Sequence, residues 1–306
     1  MKYLVILLDE TSTAYCHYKV GICTPKLIAL DDLSKAITFG MKENLRMQFV
    51  YPDFSLPREY EELINSIDHI NIKPVCKAET DDIAVGELSD YSQKGQSVNV
   101  VLKSPFAKLS DNAEQITNLV FEKERVNLVI TDIASLTDSD IDLYRIFLKH
   151  IVNSLLERCK AGDRMPQLNI LTDRLMLTAM NNCNAGEETI TVAPDGKFYI
   201  CPAFYYGGKS DCGSISGGLS IRNPQLYKLD HAPICRQCDS WHCRRCVWLN
   251  RERTLEVNTP GHIQCIISHL ERNATRELLA GLRENGEFFQ GIEIPEITYL
   301  DPFEKI

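Results

Sequence analysis

The sequence has no run approaching the roughly 20 apolar residues that a membrane-spanning helix requires, which excludes a helical integral membrane protein. Its first residues, MKYLVILLDE, carry one lysine and a short apolar run ended by Asp9 and Glu10, with no small-residue cleavage pattern. They read as a buried strand and not as a secretory signal, so the cytoplasm is the expected location. Basic residues are in deficit: 33 lysines and arginines face 42 aspartates and glutamates, a formal net charge of -9. Nucleic acid is therefore not the expected partner, because phosphate contact needs a basic surface. Repeats at a fixed period and low-complexity tracts are missing, which excludes a solenoid. So are an HExxH zinc motif, a nucleophile paired with a base, and a phosphate loop. GGKS at 207–210 lacks the first glycine of such a loop and lies between cysteines instead of opening a helix.

What remains is an ordinary globular composition, 44% hydrophobic and 25% charged, in 306 residues that suffice for one large domain or two smaller ones. The first 175 residues alternate strand-like and helical patterns. YLVILL (3–8), MQFVY (47–51), INIKPV (70–75), VNVVL (98–102), NLVIT (127–131) and LNIL (168–171) predict six strands. Between them, Leu33, Ile37 and Met41 fall on one helical face, and EYEELINSI (59–67) continues the pattern. A helix opened by Asp111, with Glu114 three residues on, turns Ile116, Leu119 and Val120 inward. A longer helix from Asp138 to Cys159 carries Ile141, Tyr144, Leu148, Ile151, Leu155 and Cys159 as its stripe. The stretch from Cys76 to Gln96 is the least regular. Apolar strands with crossover helices call for a parallel sheet, as an open doubly wound sheet or a partial barrel, and periodicity does not choose between them.

After residue 180 the texture changes. TITVAPDGKFYIC (189–201) is a hairpin pattern around Pro194, Asp195 and Gly196, followed by glycine-rich loops and a last helix from about Ile266 to Glu284. The expected organisation is an α/β domain over 1–177 and a small cysteine-rich domain over 178–306.

Cysteine is the residue in excess. Of twelve, Cys16, Cys23, Cys76 and Cys159 are scattered, while eight lie between Cys183 and Cys265. In a reducing compartment such clustering points to metal ligands before disulfides. The densest stretch, CRQCDSWHCRRC from Cys235 to Cys246, holds two Cys-x2-Cys pairs that could close one tetrahedral zinc site. Its spacer is shorter than zinc ribbons use, and a site of Cys235, Cys238, His242 and Cys246 fits a knuckle only loosely. Neither accounts for the remaining cysteines. Arg236, Arg244, Arg245, Arg251 and Arg253 crowd the same region, as a solvated face, as cations offsetting a thiolate-bound metal, or as a dock for an acidic peptide.

The wider pattern runs from Cys183 through twelve residues to Gly196, then four residues to Cys201, on to the quartet Cys235, Cys238, Cys243 and Cys246, and ends at Cys265. It resembles the signature of SPASM domains, the C-terminal extensions of many radical SAM enzymes that modify peptides. In the quartet the second and third spacings are each one residue shorter than the family's. The resemblance implies two auxiliary [4Fe-4S] clusters, with Cys183, Cys201 and Cys246 on the first and Cys235, Cys238, Cys243 and Cys265 on the second. Cys212 is the candidate for the fourth position on the first cluster. Zinc is the alternative.

A radical SAM enzyme also needs Cys-x3-Cys-x2-Cys after its first strand. Here the three positions hold Cys16, Val20 and Cys23, and YPDFSLP after the second strand lacks a glycine-rich GGE-like segment. The barrel therefore reads as degenerate, S-adenosylmethionine is not expected as a cofactor, and the spacing of Cys16 and Cys23 reads as accidental. The YCHY near the start, QFVYPDF after the second strand, and HCRRCVWLNRERTLEVNTP running into QCIISHLERNATRE resemble the CXXX repeat peptide maturases. That resemblance implies a radical SAM peptide maturase and a cysteine-repeat precursor peptide as partners. The expected function is an accessory iron–sulfur protein in maturation of a ribosomally synthesised peptide, acting by electron transfer or by binding a substrate thiol. The alternative is a metal-stabilised peptide-binding module, with Trp241 and Trp248 as contact or packing residues. Asp9, Glu10 and His17, after the first strand, are expected in solvated or capping roles.

Overall fold

The structure, a computed structural model, describes residues 1–21, 23–91, 97–181, 183–284, 286, 289 and 291–296. Residues 92–96 of the irregular stretch and the tail from 297 onward lie outside the described residues. Two compact, discontinuous units divide the chain: Met1–Val98 with Cys183–Ala232, and Asn99–Asn182 with Pro233–Ile306. We call them unit one and unit two. Both are mixed α/β.

Unit one begins with β1 (Tyr3–Leu7), α1 (Leu30–Lys42), β2 (Arg46–Val50), α2 (Arg58–Ile64), β3 (His69–Pro74), β4 (Ile83–Gly86) and α3 (Leu88–Tyr91). The chain then supplies unit two with β5 (Asn99–Ser104), α4 (Ala113–Glu122), β6 (Arg125–Ile130), α5 (Asp138–Lys160), β7 (Gln167–Leu168) and α6 (Asp173–Met176). It returns to unit one for β8 (Thr189–Val192), β9 (Phe198–Tyr199), α7 (Pro202–Tyr206), β10 (Gly213–Ser214) and β11 (Gly218–Leu219). Unit two closes with α8 (Val247–Thr254) and α9 (His262–Arg283).

In unit one the strand order is β4-β3-β2-β1-β8-β9. All neighbours are parallel except the β8–β9 hairpin. Strands β1 to β4 follow one another across the sheet, and β8 joins on the other side of β1. Because β1 lies between β2 and β8, both its faces and both its edges are covered, and Leu4 to Leu7 are at most 1% exposed. That is why YLVILL reads as an unbroken apolar run and not as an alternation. The hairpin closes at Gly196, whose φ of +73° is a conformation that glycine adopts without steric cost.

Four local expectations need correction, the first being the strand LNIL (168–171), of which only Leu168 is in a strand because Asn169 to Thr172 turn into α6. On α1 the buried stripe is Leu33, Ala36, Ile37 and Gly40, while Met41 is 62% exposed. At 100° per residue Met41 has rotated off the face that Leu33 sets, and Gly40 instead lets Met47 pack against the helix. α4 starts after Asn112, not at Asp111, and Asn112 makes no side-chain cap. β4 was not foreseen: IAVG, four residues flanked by polar ones, is too short to give a period-2 signal.

Unit two pairs β7-β6-β5, again in parallel, with Val100 opposite Val126 and Leu102 opposite Leu128. α5 begins with a capping box in which Thr137 and Asp140 satisfy each other's backbone amides. Its buried face includes Tyr144, Leu148, Ile151 and Leu155, and α5 packs along α9. Among the described residues no helix is long and apolar enough to cross a membrane.

Candidate metal centre

The cysteine loop of unit two is held by side chains from elements distant in sequence. Arg272, on α9 and fully buried, grips Asp239 with Nε at 2.9 and 2.8 Å from its two carboxylate oxygens and Nη2 at 2.7 Å. Such a forked contact fixes orientation as well as distance. Arg174, on α6 and 1% exposed, donates Nε to the Asp239 carbonyl at 2.8 Å and lays its guanidinium 3.9 Å from the centre of the Trp241 ring. Trp241 is thus a packing residue beneath a cation. Its carbonyl accepts from Asn181 N–H at 3.0 Å. Further along, His242 Nε2 lies 3.1 Å from Glu271, whose other oxygen accepts the Tyr144 hydroxyl at 2.6 Å. Arg244 reaches Asn127 on β6 at 2.8 Å. The loop is therefore tied to β6, α5, α6 and α9.

Inside this scaffold Cys235, Cys238, Cys243 and Cys265 line one cavity of about 520 Å³, together with His269 and Arg245. Two of the sulfurs have nitrogen neighbours. The Arg245 amide donates to Cys243 Sγ at 3.4 Å, and the His269 ring lies 3.6 Å from Cys238 Sγ. Arg245 adopts φ +39°, an uncommon conformation for a non-glycine residue, and its amide is directed back at that sulfur. Cys265 sits in the first turn of α9. Ser240 Oγ and Gln264 Oε1, both on the cavity wall and buried, have no hydrogen-bond partner among the described residues. Interiors meet such groups with ordered water or a bound group. The cavity wall thus brings together four cysteines, one backbone amide directed at sulfur and a buried arginine, while among the described residues no three His, Cys, Asp or Glu side chains form a metal-ion group.

In the metal-free chain, burial pushes the Cys235 thiol up to about 12, with Cys243 adding to it. Burial likewise raises Cys243, against hydrogen bonds from Ser268 and the Arg245 amide. At pH 8 Cys235 is then almost wholly protonated and shielded. Metal-free protein should carboxamidomethylate Cys235 at least roughly tenfold more slowly than the exposed Cys76. Peptide mapping by mass spectrometry over time reads this, and equal rates would show that the loop is open.

The other cysteines are placed as follows. Cys183 is exposed, with its carbonyl accepting from Thr189. Cys201 caps the N-terminus of α7, and Cys212 is buried beside β9, its amide 2.6 Å from the Phe198 carbonyl. Burial raises the Cys212 thiol, opposed by the Ile200 backbone. These three belong to unit one, and Cys246, at the start of α8, belongs to unit two. Cys16 and Cys23 are half-buried in the loop after β1. Asp9 is fully buried, with Oδ1 accepting from the Thr11 amide and hydroxyl at 2.8 and 2.7 Å, a turn-capping role and not a solvated one. Of the arginines, Arg236, Arg251 and Arg253 are exposed, whereas Arg245 is buried. Sequence pattern gives Tyr144 only as part of a buried helical stripe, and gives no signal for Arg174, Arg272, Glu271 or His269.

No protein-family model matches the chain. No curated protein matches it either. Among solved structures it is similar to Streptococcus suis SuiB, in a crystal structure bound to S-adenosylmethionine, with a TM-score of 0.42 and 8% identity. The match covers 74% of this chain and 63% of SuiB, less than two thirds of that protein's length.

Proposed function

We propose that this protein is an accessory iron–sulfur subunit in the maturation of a ribosomally synthesised, cysteine-repeat peptide, working beside a radical SAM peptide maturase. The observation that carries the metal part of this reading is the cavity of unit two, where four thiols face a common space. A single zinc needs its donors about 2.3 Å from one point. Among the described residues no three His, Cys, Asp or Glu side chains form such a group, and the thiols ring a cavity instead. The choice of a polynuclear group over one ion rests on the resemblance to SPASM domains.

When bound, a [4Fe-4S] group would supply one-electron exchange, at a potential set by charge, hydrogen bonds to sulfur and exposure. Cys235, Cys238, Cys243 and Cys265 would hold it. The Arg245 amide donates to Cys243 Sγ, the His269 ring lies beside Cys238 Sγ, and the Arg174–Asp239–Arg272 clamp keeps the loop in place. Cys183, Cys201 and Cys246, with Cys212 as candidate fourth ligand, are the set for the other cluster, proposed from the resemblance to SPASM domains alone. The peptide and the radical SAM partner rest on the resemblance to the CXXX repeat peptide maturases.

The test is iron, sulfide and zinc analysis of protein purified without oxygen. About eight irons and eight sulfides per chain are expected if both sets are filled, and about four of each from the cavity alone. One or two zincs without sulfide would replace this reading with a structural metal module that binds peptide.

A further inference from the structure

We propose that Tyr205, with Glu10 as its proton acceptor, is a one-electron relay site in unit one, reached through a chain of touching tyrosines. Five rings follow one another there. Tyr15 meets Tyr18 edge-on at 5.9 Å between centroids, and Tyr18 stacks on Tyr206 at 5.4 Å and 10°. Tyr206 meets Tyr205 at 5.1 Å, and Tyr205 meets Tyr199 at 5.1 Å. The series links the loop after β1, which carries Cys16 and Cys23, to the end of β9, two residues before Cys201.

Packing alone explains aromatic contacts, but not where these hydroxyls go. Most buried tyrosines of unit one give theirs to backbone carbonyls, Tyr60 to Ile28 at 2.6 Å, Tyr91 to Ala84 at 3.0 Å and, within the series, Tyr18 to Thr13 at 3.2 Å and Tyr206 to Ser12 at 3.5 Å, while Tyr51 gives its hydroxyl to Glu61 at 3.3 Å. A carbonyl cannot take the proton. In the chain, Tyr205 donates to the Glu10 carboxylate and Tyr199 to Asp195 at 2.7 Å. Glu10 follows Asp9, which the Thr11 and Ser12 contacts fix at the end of β1. A base within hydrogen-bond reach is the geometry that proton transfer requires. Tyr205 is also interior to the series, in contact with rings on both sides. Burial, then Glu10, keeps its phenol protonated until it is oxidised.

The step balances as follows. A one-electron oxidant of the thiyl-radical class, delivered to the tyrosine series from outside the chain, takes one electron and becomes a thiolate. Tyr205 loses that electron through Tyr206, its phenolic proton moves to Glu10, and the products are a neutral tyrosyl radical and a neutral carboxylic acid. The proposal stands apart from the iron–sulfur reading, because it needs no metal.

The experiment is laser-flash oxidation of the full-length protein by photogenerated ruthenium(III) polypyridyl, with electron paramagnetic resonance after rapid freezing. A neutral tyrosyl signal is expected, and Tyr205→Phe should cut its yield by roughly tenfold. Glu10→Gln keeps the ring and removes the base. It should slow radical formation by a similar factor and abolish the solvent deuterium effect seen in the wild-type protein. Tyr60→Phe should change nothing. Circular dichroism checks each variant, and should Tyr205→Phe not fold, Glu10→Gln alone decides. Unchanged yield in the folded variants, or an equal loss in Tyr60→Phe, would overturn the relay.

Discussion

Replacing Arg272 with alanine is expected to cost roughly 3 kcal/mol of stability, at the low end of what removing one partner of a buried ion pair costs. The guanidinium is fully buried and makes three of its contacts to Asp239, whose own side chain keeps 25% exposure. That residual access to water softens the penalty for the carboxylate left behind. The same substitution also removes the hydrogen bond to the Pro295 carbonyl. Urea or thermal unfolding reads the loss, and a change under about 1 kcal/mol would mean that the pair behaves like a surface contact. A second readout separates general destabilisation from release of the loop. In metal-free Arg272→Ala, Cys238 should react with a thiol reagent severalfold faster than in the wild type, because Asp239 follows it directly. Arg272→Met, which keeps most of the volume without the charge, should share the faster labelling.

The second large effect concerns metal content. The double variant Cys238→Ser and Cys265→Ser removes two of the four cavity thiols, one from the loop and one from α9. Iron and sulfide should each fall by about four per chain, since a [4Fe-4S] group does not persist on two thiolates. Changing Cys76 to serine, exposed and outside either proposed set, should leave both unchanged. If the double variant kept its full iron, the cavity of unit two would not be a cluster site. Circular dichroism is expected to show a folded protein in either case, because the clamp of Arg174, Asp239 and Arg272 uses no metal.

Much of the framework was legible because it depends on local pattern. Short apolar runs gave β1, β2, β3, β5 and β6, and the stripe of Tyr144, Leu148, Ile151 and Leu155 gave α5. The hairpin of β8 and β9 followed from Pro194, Asp195 and Gly196. Its parallel pairing with β1 did not, because nothing local in TITV names a partner more than 180 residues away. The cysteines could be grouped by spacing, but their supports could not. Arg174 lies 65 residues from Asp239, and Tyr144 lies 127 from Glu271. Each is an ordinary residue on an ordinary helix until packing brings it to the loop. The tyrosine series was invisible for the same reason, since its members come from the β1 loop, β9 and α7.

The seat of β8 beside β1 has a bearing on how the protein can be handled. A fragment ending at residue 177 would keep β1 to β4 and lose the strand that covers one side of β1, where Tyr3 to Ile6 pair with Thr189 to Val192. YLVIL would become an exposed, flat, apolar edge of the kind that recruits other chains. Expressed alone, such a fragment would be a seed for aggregation, and its insolubility would say nothing about how well the intact molecule folds.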